Sequence, residues 1–263
     1  LLGNSDPLTG TLRRAARVTS FDRIAAVIAG SADRWRQCSL KDIDHDNLFV
    51  QPKYQGTGYE VLLALLTLES RISPTAPVLF LPADHIVTDE EVMTNSLQSM
   101  AEWIADEPGP IYLLGAVPQG PHDQLGYIVP WHDTMLMPTG VYEFVERPDV
   151  RHARKLINAG GLWNTFIFGG NVSSLIKLFR PRFDAAIASL REALLASDMQ
   201  PDLVRIYDRL SPVDFSQEVL AKQLDNLSVL RLLRCGWWPL KSPTYNTRLA
   251  AGSESRPDTG SAH

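Results

Sequence analysis

The 263 residues carry 44% hydrophobic and 21% charged side chains, an ordinary globular balance that excludes wholesale disorder and suffices for a full core. Twenty-five Lys and Arg against 30 Asp and Glu give a formal net charge of −5 without a basic run, so nucleic acid is not an expected partner. No uncharged apolar run reaches the roughly 18 residues that a membrane span needs, and no basic stretch leads into an apolar one at the start, so neither membrane nor export is expected and the chain reads as cytoplasmic.

The pattern alternates short β-rich runs with longer helical ones, as expected of a doubly wound α/β core. One domain is expected over residues 1–249, with a disordered tail over 250–263, where Gly, Ser, Pro and charges dominate. In chain order, Leu8 to Val18 reads as a helix, Ile24 to Ala29 as a strand, Asn47 to Val50 as a second strand, and Tyr59 to Ser70 as a helix. Val78 to Leu81 is an unbroken apolar run, the mark of a strand covered on both faces. It ends at Pro82-Ala83-Asp84-His85, where a loop begins. Thr88, followed by Asp89, Glu90 and Glu91, is the expected cap of a helix that ends near Glu107-Pro108-Gly109. Ile111 to Ala116, Tyr127 to Pro130 and Tyr142 to Val145 are expected strands, and Arg151 to Ala159 a helix. Phe166 to Phe168 follows as a strand, then helices over Val172 to Phe179, Phe183 to Ala196 and Pro201 to Leu210, and a last strand over Ser228 to Leu233. Cys38 and Cys235 are the only cysteines and form no C-x-x-C pattern, so they read as buried structural thiols.

Chemistry is concentrated where strands end. Asp84 lies beyond a strand's carboxyl end, where open α/β sheets place ligands, and a carboxylate there either reaches a metal or caps a turn. His85 reads as a hydrogen-bonded structural residue. Gln51-Pro52-Lys53-Tyr54-Gln55-Gly56-Thr57-Gly58 joins a strand to a helix, and its glycines permit close approach of a ring or phosphate, although neither the P-loop nor the dinucleotide spacing is present. Glu146-Arg147-Pro148 is a surface ion pair or part of a site. Asn164, set between Trp163 and Phe166, suits a sugar hydroxyl against an apolar wall, with core packing as the alternative.

Taken in order, Gln51-Pro52 with Gly56-Thr57, Leu81-Pro82-Ala83-Asp84-His85, Gly126-Tyr127-Ile128, Glu146-Arg147-Pro148, Leu162-Trp163-Asn164-Thr165-Phe166-Ile167-Phe168, Val213-Asp214-Phe215 and Cys235-Gly236-Trp237 form a series. It resembles the mannose-1-phosphate guanylyltransferases among the sugar-phosphate nucleotidyltransferases, from about Leu1 to Pro243. The resemblance implies a Rossmann-like nucleotidyltransferase fold with a mostly parallel mixed sheet flanked by helices. It also implies transfer from GTP to mannose 1-phosphate with Mg2+, giving GDP-mannose and pyrophosphate.

On that model Asp84 holds the metal, with Asp214 as a second acidic candidate, while Gln51, Gly56 and Thr57 face the nucleotide. Gly126, Glu146 and Asn164 form the sugar pocket, and Arg147 stands where the family has a phosphate-binding Lys. A homodimer is compatible with this reading. The Gln-Pro segment also resembles that of uridylyl- and thymidylyltransferases. Two departures from the family stand out. Its Gly-x-Gly-Thr-Arg loop precedes the region matched by Leu1-Leu2-Gly3, so a strand and loop are expected upstream. Its Gly-Trp-Ser-Asp motif reads Gly236-Trp237-Trp238-Pro239 here, and proline cannot ligate a metal. A catalytically degenerate homologue, binding sugar nucleotides or regulating a partner, is the alternative.

Overall fold

The computed structural model describes residues 7–30, 40–132, 137–196 and 199–240. The expected tail over 250–263, the match at Leu1-Leu2-Gly3 and the thiol of Cys38 lie outside these residues. In chain order the elements are α1 (Pro7–Ala15), β1 (Ala26–Ala29), β2 (Leu48–Gln51), α2 (Gly56–Glu69), β3 (Pro77–Phe80), β4 (His85–Ile86), α3 (Glu90–Asp106), β5 (Ile111–Ala116), β6 (Tyr127–Pro130), β7 (Thr139–Val145) and α4 (Val150–Asn158). They continue with β8 (Leu162–Asn171), α5 (Val172–Lys177), α6 (Asp184–Leu195), α7 (Met199–Tyr207), α8 (Phe215–Glu218), β9 (Leu227–Leu232) and β10 (Trp238–Pro239), with short 3-10 turns between.

The central sheet has the order β3-β8-β5-β9-β7-β6, and β6 also pairs with the start of β8. Strand alternation divides its side chains between two helical layers. Ile111, Leu113, Leu227 and Val229 join α2, α5 and α6 in one core, whereas Tyr112, Leu114, Ala116 and Leu232 pack with Met93, Leu97 and Met100 of α3 and Leu156 of α4 in the other. A smaller cluster closes the β1–β2 pair against α1. The α/β fold with a mixed sheet flanked by helices is therefore as expected.

Its strand directions need a correction. Within the central sheet only β5–β9 is parallel, and the remaining pairings are antiparallel. The helical crossover through α3 leaves β3 and β5 pointing the same way, but β8 enters between them reversed. The connection from β6 to β7 is shorter than the dozen or so residues that a parallel crossover requires. The expectation of a mostly parallel sheet took the helix-strand alternation as uniform, and it is not.

Two local readings also change. The cap of α3 is Asp89, whose side chain accepts from the Val92 N–H, while Thr88 donates its hydroxyl to the Cys235 carbonyl at 3.1 Å. β8 runs for 10 residues where three were expected. Gly169 and Gly170 hid its extent, because glycine weakens a strand signal. Both are dictated by crowding: a Cβ on Gly169 would lie 2.5 Å from Leu79 Cδ2, and one on Gly170 would lie 2.6 Å from Ile111 Cδ1.

Candidate active site

Register gathers the candidate residues along one edge. Phe80 of β3 pairs with Phe168 and Ala116 of β5 with Trp163, while Leu232 of β9 lies beside Ala116, and Tyr127 of β6 pairs with both Trp163 and Val145. The carboxyl ends of β3, β5, β7 and β9 thus share an edge with the amino ends of β6 and β8. Asp84, Gly126, Glu146 and Asn164 all follow or begin strands there, where α/β sheets place their ligands.

The Glu146 end is the tightest. Gly126 accepts the Asn164 N–H at 2.8 Å, and a Cβ on Gly126 would lie 2.5 Å from Glu146 Oε2 and 3.3 Å from the Asn164 Cβ. Any side chain at this position would have to displace the Glu146 carboxylate. Glu146 Oε2 is buried without a hydrogen-bond partner, which is costly for a carboxylate and marks a place where a ligand donor would be favourable. Burial, reinforced by the negative charge of Asp214 and opposed by Arg147, pushes the Glu146 carboxyl up to about 7. Arg147 sits 3.7 Å from Glu146 by its Nε, 63% exposed, and its backbone is left-handed at φ 48. Such strain in a non-glycine residue is concentrated at functional sites.

Asn164 is held in a bulge of β8, where pairing to β5 skips between Ile167 and Asn164 and Phe166 takes φ 58. Its Oδ1 accepts from Phe166 N at 3.0 Å and its Nδ2 donates to Ser216 Oγ at 3.2 Å, while Thr165 Oγ1 bridges the Leu114 carbonyl and Ile167 N. Side chains thus replace the ladder bonds that the bulge removes. Asp214 caps α8 by accepting from Gln217 N at 3.0 Å. Burial, with the negative charges of Glu60 and Asp214, raises the phenol pKa of Tyr54, which is 59% exposed, and Arg147 opposes that shift. Tyr54 and Ser216 escaped the sequence reading. Only the exposed aromatic within the Gln-Pro-Lys-Tyr run could have signalled the first, and nothing local signalled the second.

Three residues expected at the nucleotide have structural partners or sit deep. Gly56, at φ 83, is pressed against the Val213 backbone, and Thr57 Oγ1 accepts from Phe215 N at 3.0 Å, so both clamp the start of α2 to the 213–215 segment. Gln51 at the end of β2 is fully buried, with neither amide atom hydrogen-bonded.

At the other end, Asp84 is 47% exposed and its Oδ1 lies 3.7 Å from Nε2 of the buried His85. Trp237 donates its indole N–H to His85 Nδ1 at 3.1 Å, which assigns the proton to Nε2. Burial pushes His85 down to about 4, keeping it neutral, with Asp84 opposing that shift. β10 pairs with β4 so that Pro239 stands opposite His85, and Leu240 N donates to the Asp84 carbonyl at 2.9 Å. Asp84 supplies the hard oxygens that Mg2+ prefers, and that ion commonly binds through one or two carboxylates with water and phosphate oxygens completing its shell. No group of three or more His, Cys, Asp or Glu that could hold a metal ion occurs among the described residues. Glu146 feels the negative charge of Asp214. Among the described residues no helix is long and apolar enough to cross a membrane.

The chain is similar to known proteins over much of its length. Alginate biosynthesis protein AlgA of Pseudomonas aeruginosa is 28% identical over 215 residues, covering 78% of this chain and 43% of that one. A mannose-1-phosphate guanylyltransferase of Salmonella montevideo is 26% identical over 248 residues, covering 89% and 51%. The chain spans between 27% and 51% of the length of such relatives. A crystal structure from Thermus thermophilus, described as a mannose-1-phosphate geranyltransferase, superposes with a TM-score of 0.74 at 26% identity over 90% of this chain and 67% of that one. The nucleotidyl transferase family model matches residues 4–200, well over half the sequence. The chain therefore belongs to the nucleotidyl transferase family.

Proposed function

We propose that the chain transfers a guanylyl group from GTP to mannose 1-phosphate, giving GDP-mannose and pyrophosphate. The observation that carries this reading is the partnerless Oε2 of Glu146, buried over Gly126 on the same sheet edge as Asp84. A hexose hydroxyl would give that oxygen the donor it lacks. Asn164, pinned by its bulge, keeps one amide proton and one acceptor direction for the sugar ring. Arg147 would grip the sugar phosphate by parallel N–H bonds.

The reaction needs little covalent help. A phosphate oxygen of the sugar attacks the α-phosphorus, the bond to the bridging oxygen breaks, and pyrophosphate leaves in line. The protein's task is to align two anions. Asp84 would hold Mg2+, which when bound neutralises phosphate charge. Gln51 would offer its buried amide to the base once the nucleotide has entered. The names of the relatives and the matched motifs support mannose and guanine as the substrate pair.

A second reading is favoured by Pro239. Where the family's motif has a carboxylate, register puts proline opposite His85, beside Asp84. A protein that binds sugar nucleotides without turning them over would tolerate that loss. Incubating the chain with GTP, mannose 1-phosphate and Mg2+ separates the two. Release of pyrophosphate with formation of GDP-mannose supports the enzyme, whereas binding of GDP-mannose without turnover supports the regulatory reading. Release only with another sugar phosphate or nucleotide reassigns the substrates.

A further inference from the structure

We infer that His85 and Trp237 act together as positioning residues for the Asp84 carboxylate, a role that rests on Asp84 being the metal-holding group. His85 would otherwise be an ordinary buried core residue. Its environment is more specific than that. The imidazole is 7% exposed, its Nδ1 is occupied by the Trp237 indole N–H at 3.1 Å, and the two rings meet edge to face at 5.0 Å and 82°. With Nδ1 accepting, the ring's single proton is on Nε2, the atom 3.7 Å from Asp84 Oδ1. The ring's donor nitrogen therefore lies near one carboxylate oxygen, where it would bias the rotamer of Asp84. At 3.7 Å the contact is longer than a hydrogen bond, as is common in unliganded sites, where such contacts tighten on binding.

Trp237 is itself anchored from both sides. Its ring lies 6.4 Å from Trp163, whose indole N–H donates to the Tyr127 hydroxyl at 3.0 Å. Before it, Gly236 turns at φ 65 against Thr88, while the N–H groups of Thr88 and Asp89 both donate to the Cys235 carbonyl. After it, β10 pairs with β4, and the Leu240 N–H reaches the Asp84 carbonyl. The segment 235–240 thus straps the Asp84 loop through backbone and side chain together. Residues that orient a metal-binding group by hydrogen bonds commonly tune its affinity by roughly 10–100-fold. This chain has proline in place of one family carboxylate, so the orientation of the remaining one gains importance.

The test uses the full 263-residue chain and Mn2+ as the probe, with bound ion followed by electron paramagnetic resonance in the presence of GTP. Asp84→Asn should abolish tight Mn2+ binding. If the wild-type chain binds no Mn2+, or Asp84→Asn binds as well as wild type, Asp84 does not hold the metal and the inference falls with that reading. Trp237→Phe keeps the ring but removes the indole donor and should weaken Mn2+ about tenfold or more. His85→Phe should do the same, and His85→Gln, which keeps a donor, should recover part of the loss. The 15N shifts of the imidazole provide a readout independent of metal: Nε2–H in the wild type, and a mixture of tautomers in Trp237→Phe. An unaltered tautomer in Trp237→Phe, or wild-type Mn2+ affinity in both Trp237→Phe and His85→Phe while Asp84→Asn loses it, would overturn the positioning role and leave the metal reading standing.

Discussion

The two ends of the site edge carry carboxylates in opposite settings. Asp84 is 47% exposed, faces the Nε2–H of a neutral imidazole, and sits on a loop tied down by the 235–240 strap. Glu146 is 14% exposed, has one oxygen with no donor, and is pushed up to about 7 by burial and by Asp214. On the proposed reading, the first would meet a cation from solvent and the second would receive a sugar hydroxyl. Residue type is nearly the same at both ends, so surroundings decide the role.

The hardest test of this contrast is Asp84→Asn. Pyrophosphate release should fall by a factor of about 10²–10³, with circular dichroism unchanged because the side chain is half exposed. An equal loss of fold stability would mean that the loop, rather than the charge, is what Asp84 supplies.

Glu146→Gln probes the other end through pH. The folded carboxyl keeps its proton up to about 7, against an ordinary value of 4.5. Between those values the native state binds more protons than the unfolded chain, so wild-type stability falls as pH rises through the window. The amide has no proton to lose. Denaturant titrations should therefore show little difference below pH 4.5 and a gain for the variant above about pH 7, of up to roughly 3 kcal/mol. No pH dependence in that difference would overturn the raised pKa of the buried Glu146 carboxyl.

Asn164→Ala should cost about 2 kcal/mol, read from the same titrations, by freeing the Phe166 N–H and Ser216 Oγ inside the bulge. A smaller effect is expected from Pro239→Asp. The new carboxylate would stand opposite His85, next to Asp84, and should lower the Mg2+ concentration for half-maximal activity on the order of tenfold. No change would place the second ligand elsewhere. Smallest is Arg147→Gly, which relieves the left-handed backbone and should raise stability by about 1 kcal/mol while weakening sugar-phosphate binding. A loss of stability would show that the ion pair to Glu146 outweighs the strain.

Much of the architecture was legible from local pattern. The buried run Ile111–Ala116 matches β5 in the sequence reading and in the structure, because a strand covered on both faces is apolar without interruption. The acidic and amide residues of the site were legible as residues because they stand at strand ends. Their surroundings were not. Gly126 stands out in the sequence only through the family resemblance, and the carboxylate lying over it comes from 20 positions later. Asn164 read as an amide among aromatics, yet its bulge depends on Ser216, far along the chain. Thr88 and Asp89 are both residue types that cap helices, and the bond that takes Thr88 to Cys235 instead arises only when the 235–240 strap folds back.

By itself the sequence determined the layering of helices and strands, since hydrophobic period is a property of neighbouring residues, and it supplied the chemical groups at the strand ends. Tertiary structure alone decided the direction of β8, the burial of Glu146, the tautomer of His85 and the placement of Pro239 opposite it. Each depends on segments tens to more than a hundred residues apart being brought together, and desolvation and hydrogen-bond partners exist only once those segments meet.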